Sequence, residues 1–393
     1  MKKFLAFLLC LVCIFTLMGC QYKVPDPMEY PDYTFSSDPT PDELRQMAVK
    51  AMRDVLSIQW CTETEIRYRK NGPVSKKEFV HSPENTYAGL LYSTASTGLF
   101  QFYEYYNPKT GCLEYPGTAD ELKLELGNSC ADALLWSWST VCNSIKGGFY
   151  PVLMVPSNGY VIIGDYTYRQ TIQSYNEMPS YAIIENNGVD VILDAYTKML
   201  PADALLSNSD NHAMMVIEAP VVVYKADGSI DQENSYVMIQ DQRAGGSTFY
   251  EEVVNGHTLN FSGRTSAKIT FAKLIEDDYI PVTTAEFLGT KPYEKANVSV
   301  NQDCSTLADL KNVTVEANYP FAVINILSVD GKGNTTVLKR KTFGANDMYG
   351  PPRTFKLAEF KDLDSISPAS NCTIQLEVVL STGERFTPIT FAQ

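Results

Sequence analysis

One cysteine and one histidine of this chain stand where they could act together. Cys130 follows a Gly-Asn-Ser segment at 127–129 and opens a run with apolar residues at helical spacing, so it falls in the first turn of a predicted helix. A helix N-terminus carries partial positive charge and free backbone N–H groups, which lower the pKa of a thiol and can bind an oxyanion. His212 directly precedes the apolar run 213–216 and therefore starts a predicted strand. This order of elements favours a Cys-His pair for nucleophilic catalysis.

A third polar group is needed to orient the imidazole of such a pair. The next predicted strand begins at Tyr236 and carries Gln240 and Asp241 near its end. These two side chains point to opposite faces of one strand, so only one of them can reach His212. We favour Asp241 over Gln240.

Cys130 and the other cysteines and histidines can also be interpreted as residues with no catalytic role. Cys130 itself could be a buried thiol or half of a disulfide, although Cys142 lies too far along the predicted helix to be its partner. Cys304 and Cys372 could join across a pair of strands, and nothing in the sequence fixes the pairing. We expect the other two histidines, at positions 81 and 257, to lie at the surface because their sequence contexts are polar.

The first residues predict export. Lys2 and Lys3 precede an apolar run at 4–17 that is too short to span a bilayer, which is typical of a signal peptide. The run ends in Leu-Met-Gly-Cys at 17–20, which resembles the lipobox of bacterial lipoproteins. We therefore expect Cys20 to carry lipid and to anchor the mature chain to the cell membrane on its extracytoplasmic side. The alternative is an ordinary secretory signal followed by an unrelated cysteine.

Four segments are predicted along the chain. They are the signal peptide at 1–19, an extended proline-rich linker at 20–39, a first domain at 40–290 and a second domain at 291–393. The first domain is expected to hold a helix at 42–58 capped by Thr40 and Glu43, a loop-rich stretch to about 127, a helix at 129–145, and strands from 150 onward that include 191–193. Short strands at regular spacing favour an immunoglobulin-like β-sandwich for the second domain.

Composition excludes several classes of function. The chain has a net charge of −14 and a pI of about 4.8, so it should repel nucleic acid. Only three histidines occur, which excludes a histidine-rich metal cage. The sequence contains no calcium-loop, Walker or dinucleotide-binding motif, and we expect no cofactor.

Over about residues 80–280 the chain resembles the NlpC-type papain-like cysteine hydrolases. The similarity lies in the segment Gly-Asn-Ser-Cys before an aromatic-rich helix with Trp136 and Trp138, in Pro-Ala-Asp at 201–203 ahead of His212, and in the tyrosine segment 87–93. The resemblance assigns to Tyr92 the family's tyrosine that lines the active site. Ser129, Ala131 and Leu91 differ from the residues usual in the family.

The resemblance implies an α+β fold, in which a papain-like helix packs on an antiparallel sheet, followed by the all-β sandwich. It implies a lipid-anchored hydrolase of amide or peptide bonds, with cell-wall peptide as the substrate class. Cys130 would be the nucleophile, His212 the base, Asp241 or Gln240 the orienting group, and Tyr92 an oxyanion donor. The alternative is an inactive surface lipoprotein that binds peptide or glycan through its many tyrosines. The sequence carries no signal for an oligomeric state.

Overall fold

The computed structural model describes residues 31–69, 78–115, 124–147, 154–168, 179–243, 250–254, 257–344, 352–360, 363, 366, 368 and 371–393. The predicted signal peptide and the predicted lipid-bearing Cys20 lie outside these residues.

Helix α1 shows how local sequence sets an element boundary. Thr40 caps it through a reciprocal pair of hydrogen bonds with Glu43, and Pro41 occupies its first turn. Leu44 and Ala48 face the protein interior, one helical turn apart. The predicted start of this helix is confirmed.

The described α-helices are α1 (Pro41–Ser57), α2 (Leu99–Tyr105), α3 (Cys130–Ser139), α4 (Ser180–Asn187), α5 (Val189–Thr197) and α6 (Phe271–Glu276). Short 3₁₀ turns cover Pro156–Asn158, Leu307–Asn312 and Leu357–Glu359.

The described strands up to residue 284 are β1 (Gln59–Trp60), β2 (Ile66–Arg69), β3 (Glu78–His81), β4 (Tyr87–Ala88), β5 (Tyr106–Asn107), β6 (Cys112–Leu113), β7 (Tyr160–Ile162), β8 (Ala204–Ser207), β9 (His212–Val216), β10 (Tyr236–Gln242), β11 (Tyr250–Val254), β12 (His257–Phe261), β13 (Gly263–Thr270) and β14 (Ile280–Thr284). They are followed by β15 (Val298–Val300), β16 (Thr314–Ala317), β17 (Phe321–Val329), β18 (Thr335–Thr342), β19 (Thr354–Lys356), β20 (Thr373–Leu380) and β21 (Arg385–Ala392).

The largest sheet has the strand order β13-β10-β9-β8-β14-β7, and its paired neighbours run antiparallel. Its central strands β8 and β9 are buried along their whole length. Helices α1 and α3 pack against this sheet and share one hydrophobic core with it. The same part of the chain also forms smaller sheets, with the strand orders β1-β4-β12-β11, β2-β3 and β5-β6.

The last hundred residues form a three-stranded sheet, β15-β16-β19, and a four-stranded sheet, β18-β17-β20-β21. Side chains from both sheets, among them Val315, Ile324 and Leu376, fill a second core. The buried residues of this second core all lie between 296 and 391.

The C-terminal sheets also hold the far end of helix α3. The Ser381 hydroxyl donates to the Ser139 carbonyl at 2.6 Å, and the Arg353 guanidinium donates to the carbonyls of Asn143 at 2.6 Å and Ile145 at 2.8 Å. The last carbonyls of a helix have no acceptor role within it. The C-terminal region therefore satisfies backbone groups at and just beyond the end of α3.

The predicted fold class, in which a papain-like α+β domain precedes an all-β sandwich, is wrong. Strand accounts for 33% of the structure and helix for 23%, and the described strands are divided among six small sheets that match no identifiable fold. The stretch to 127, predicted to be loop-rich, contains β1 to β6 and α2. Its strands are two to four residues long, too short to show a period-two pattern.

One local expectation also fails. The run 191–193, predicted as a strand, lies in helix α5, where Ile192 and Tyr196 are buried one turn apart. In the segment predicted as an extended linker, Tyr33 is buried; its N–H donates to the Thr382 carbonyl at 2.8 Å and its hydroxyl to Asp54 at 3.0 Å. Among the described residues, no helix has the length and hydropathy to cross a membrane.

Candidate active site

The loop before α3 is held against the segment 91–97. Gly127 has φ +99°, and a Cβ there would lie 2.1 Å from the Leu91 carbonyl oxygen, so only glycine allows this approach. The Gly127 N–H donates to the Thr97 hydroxyl at 2.7 Å, and the Ser93 hydroxyl donates to the Leu126 carbonyl at 2.6 Å. These bonds fix the point at which helix α3 begins.

Cys130 is the first residue of α3, as predicted from its sequence context. Asp132 accepts from the Ser129 N–H at 2.9 Å and from the Ser129 hydroxyl at 2.7 Å, which caps the helix. The N–H groups of the first helical residues have no acceptor within the helix. Those of Cys130 and Ala131 are therefore suited to stabilise an oxyanion beside the thiol.

His212 is the first residue of β9 and pairs with Ser207 at the end of β8. The intervening turn contains Asn211 with φ +49°, a conformation that asparagine adopts more readily than other side-chain-bearing residues. The Ser207 hydroxyl accepts from the Asp210 N–H at 3.0 Å and donates to the Asp277 carbonyl at 2.8 Å. These bonds tie the turn to the segment that precedes β14 and place His212 next to the Cys130 thiol.

The structure brings Cys130, His212 and Asp241 together in one line. The Nε2 atom of His212 lies 2.7 Å from Oδ2 of Asp241, which leaves Nδ1 as the ring nitrogen that faces sulfur. Cys130 hydrogen-bonds to this imidazole and to the Ala213 N–H, and its Sγ lies 3.9 Å from the Asn211 carbonyl oxygen.

Gln240 is turned away from this line. Its Nε2 atom donates to the Val49 carbonyl of α1 at 3.0 Å and to the Met215 sulfur at 3.3 Å. Of the two candidates for the third position, Asp241 therefore contacts His212 and Gln240 does not.

The pKa shifts of Cys130 and His212 favour a thiolate-imidazolium pair. Burial raises the pKa of the Cys130 thiol, but the facing imidazolium, its hydrogen bond and the Ala213 N–H outweigh this effect and lower that pKa. Burial lowers the pKa of His212, but the Cys130 thiolate and the Asp241 hydrogen bond together raise it. Both shifts favour the proton on His212 and the negative charge on sulfur.

Tyr92 joins the same cluster. It forms an isolated bridge with Asn128, and its hydroxyl hydrogen-bonds to the Cys130 thiol. Burial and then the nearby Cys130 charge raise the pKa of this phenol well above its usual value, so it remains a proton donor. A neutral hydroxyl at this point can donate either to the thiolate or to a developing oxyanion.

Sequence reasoning missed Arg264. This residue of β13 pairs directly with Asp241 of β10, and its guanidinium donates from Nε to Oδ1 at 2.8 Å and from a terminal nitrogen to Oδ2 at 2.7 Å. No sequence motif marks it, because the pairing depends on the register of two strands.

Asp203, part of the segment matched to the family, lies away from the thiol. It precedes β8 rather than β9, and its carboxylate pairs with the buried Arg45 of α1 at 2.6 Å. Arg45 also donates to the Pro201 carbonyl at 2.7 Å. These contacts tie the segment to the core.

The expectation that His81 lies at the surface is wrong. It is buried in β3 among the rings of Trp60, Tyr68 and Tyr87, with centroid separations of 5.1, 5.7 and 4.6 Å. Burial lowers the pKa of His81 to about 3, so it is a neutral part of the core. His257 is the first residue of β12, and its side chain falls outside the described atoms.

Cys61 and Cys112 form a disulfide, while Cys130, Cys142, Cys304 and Cys372 are free thiols in the described structure. The suggested bond between Cys304 and Cys372 is therefore absent from these residues. Cys130 is not bridged, which removes the alternative that would have excluded it as a nucleophile.

No group of His, Cys, Asp and Glu side chains within the described ranges is arranged to hold a metal ion. No model of a known protein family, no curated protein and no solved structure matches the chain.

Proposed function

We propose that this protein is a cysteine hydrolase that cleaves amide or peptide bonds. The observation that carries the proposal is the hydrogen-bonded line of Cys130, His212 and Asp241 at the start of a helix. A thiolate next to an imidazolium is the activated form of a cysteine nucleophile.

In the proposed reaction the Cys130 thiolate attacks the carbonyl carbon, and the carbonyl oxygen takes up negative charge. The N–H groups at the start of α3 and the Tyr92 hydroxyl stabilise that charge. His212 then gives its proton to the leaving amine, and a thioester of Cys130 remains. Water attacks the thioester while His212 takes a proton from it, which releases the acid and restores the thiolate-imidazolium pair.

We also propose that the protein acts outside the cytoplasm, anchored by lipid on Cys20, and that cell-wall peptides are its substrates. The predicted signal peptide supports the location, and so does the Cys61–Cys112 disulfide, because disulfides persist mainly in oxidising compartments. The substrate class rests on the sequence resemblance of the segments around Cys130 and His212.

One observation favours the alternative, a lipoprotein that binds peptide or glycan without cleaving it. The Cys130 and His212 residues are only 3% and 6% exposed. A substrate carbonyl can reach the sulfur only if the groups that cover it move aside.

Thiol labelling separates the two functions. The chain with Cys20→Ser would be treated with iodoacetamide between pH 5 and pH 9, and the labelled residues mapped by mass spectrometry. The hydrolase predicts fast labelling of Cys130 at pH 6, while Cys142 serves as an internal control that reacts only after unfolding.

Substrate cleavage is tested separately. Purified cell-wall peptides would be incubated with this chain and with a Cys130→Ser variant, and new amino groups identified by mass spectrometry. Release that requires Cys130 supports the hydrolase. Folded protein whose Cys130 resists labelling at every pH would contradict it and favour the binding function.

A further inference from the structure

The carboxylate of Asp241 is shared between two cations. Its Oδ2 atom contacts both His212 and Arg264 at 2.7 Å, and its Oδ1 atom accepts from the Arg264 Nε at 2.8 Å. Asp241 is fully buried, whereas the Arg264 side chain is 20% exposed. Arg264 thus contacts both oxygens of the carboxylate that binds the imidazole, and its side chain is more exposed than that of His212.

A guanidinium fork suits this task better than a single ammonium would. Its two parallel N–H groups match the two oxygens of a carboxylate and fix the plane of that group. A fixed plane leaves one lone-pair direction of Oδ2 for the His212 Nε2, and this in turn fixes the orientation of the ring. The Nδ1 atom then faces Cys130.

Four groups of alternating charge result: the Cys130 thiolate, the His212 imidazolium, the Asp241 carboxylate and the Arg264 guanidinium. Their net charge is zero. Without the guanidinium the buried part would carry one uncompensated negative charge, which is costly in a low-dielectric site. Protonation of the thiolate is one way to remove that charge.

We propose that Arg264 is a positioning residue for the Cys130-His212 pair, acting through Asp241 to hold the imidazole in place and to keep the thiol ionised. This inference rests on the proposed cysteine hydrolase function. Arg264 contacts Asp241 directly, and its effect on the thiol passes through this carboxylate. Burial opposes ionisation of Asp241, yet the Arg264 and His212 hydrogen bonds lower the pKa of that carboxyl to about 2.

Other titratable groups lie near the pair. They are Asp132 on α3, the Tyr92 phenol, Asp210 in the turn before β9, and Tyr279 ahead of β14, whose hydroxyl contacts Asp210 at 3.2 Å. None of them is changed in the experiment below, so a shift between variants reports the loss of the guanidinium.

The test compares rates of iodoacetamide alkylation of Cys130 from pH 5 to pH 9 in the chain with Cys20→Ser, alone and with Arg264→Gln, Arg264→Lys or Lys268→Gln. Lys268 is a matched control: it lies on the same strand, and its ammonium sits 3.9 Å over the Tyr236 ring, away from Asp241. Circular dichroism would establish that each variant is folded.

We expect Arg264→Gln to move the midpoint of alkylation upward by about one pH unit, which is about tenfold in rate at any pH below both midpoints. Arg264→Lys keeps the charge but loses the fork, so its midpoint should lie between those of Arg264→Gln and the parent. Guanidinium ion at millimolar concentration should partly restore Arg264→Gln, and Lys268→Gln should behave as the parent does.

A folded Arg264→Gln variant with the parent's midpoint would overturn the inference while leaving the hydrolase proposal intact. If Arg264→Gln does not fold, the midpoint of Arg264→Lys decides, and a value equal to the parent's overturns the inference. A parent chain in which Cys130 shows no lowered midpoint would instead contradict the proposed function itself.

Discussion

Cys130 and Cys142 lie at opposite ends of the same helix, and both are buried free thiols. Cys130 begins α3 beside His212, and its pKa is lowered. Cys142 follows the end of α3, and its Sγ lies 3.4 Å from the Thr284 hydroxyl. Burial and the Glu286 carboxylate raise the pKa of Cys142, against the smaller opposing effect of Thr284. Partner charge, rather than exposure, therefore distinguishes the two thiols.

The helix itself adds to this contrast. Its N-terminus carries partial positive charge and its C-terminus partial negative charge. A thiolate is favoured at the first end and disfavoured at the second. The helix therefore favours ionisation of Cys130 and disfavours ionisation of Cys142, although the two side chains are identical.

The largest expected difference between the two cysteines is in catalysis. Cys130→Ser should lower kcat on any cleaved peptide by about 10⁴-fold or more, because it removes the nucleophile. Cys142→Ala should leave kcat unchanged. Peptide release measured for both variants checks this, and equal activity in the two would refute the role given to Cys130.

A smaller effect is expected for the partner of Cys130. His212→Ala should slow labelling of Cys130 at pH 6 by about tenfold or more, because burial then acts without the imidazolium and the thiol pKa rises. The reactive form of the parent should increase as pH rises through the lowered pKa of Cys130. It should lose its imidazolium at a pH above the usual value for histidine. Rapid labelling of His212→Ala at pH 6 would contradict the ion pair.

At the other end of the helix the expected effect is on stability. Cys142→Ala should lower the free energy of unfolding by about 1–2 kcal/mol, since it removes a fully buried side chain that packs in the core. Urea denaturation followed by circular dichroism measures this difference. No loss of stability would mean that the core closes around the missing sulfur.

The smallest expected effect concerns the hydrogen bond that Ser381 makes at the C-terminal end of α3. Ser381→Ala removes the hydroxyl that donates to the Ser139 carbonyl and should lower the free energy of unfolding by about 1 kcal/mol. The pH profile of Cys130 labelling should stay the same. A changed profile would show that the C-terminal sheets tune the thiol and do more than hold the helix.

Local sequence signals were sufficient to predict the features whose partners lie close together in the chain. The capping pair Thr40 and Glu43 predicts the start of α1, because both partners lie within one turn. The positions of Cys130 at a helix start and His212 at a strand start follow from apolar spacing in the same way. The alternation of a strand limits the third position to one of Asp241 and Gln240, and the contact of Asp241 with His212 in the structure distinguishes them.

Contacts between distant strands escaped prediction. Arg264 meets Asp241 through a register that shifts between Ile239 and Asp241, and a one-residue shift changes which side chains share a face. His81 looked exposed because its burial comes from the pairing of β3 with β2 and from rings elsewhere in the chain. The fold class failed for the same reason, since short strands derive their pairing from distant segments.

The Cys61–Cys112 bond closes a covalent ring with a sequence separation of 51, and Tyr92 and Thr97 lie inside it. Closing a loop of that size stabilises a fold by about 4 kcal/mol in the chain-entropy account. Thiol enzymes are commonly stored with reductant to protect the nucleophile. In this protein the same reductant is expected to break the Cys61–Cys112 bond and to loosen the segment 91–97, which fixes the start of α3. A treatment that keeps the Cys130 thiol reduced would therefore destabilise the structure next to it.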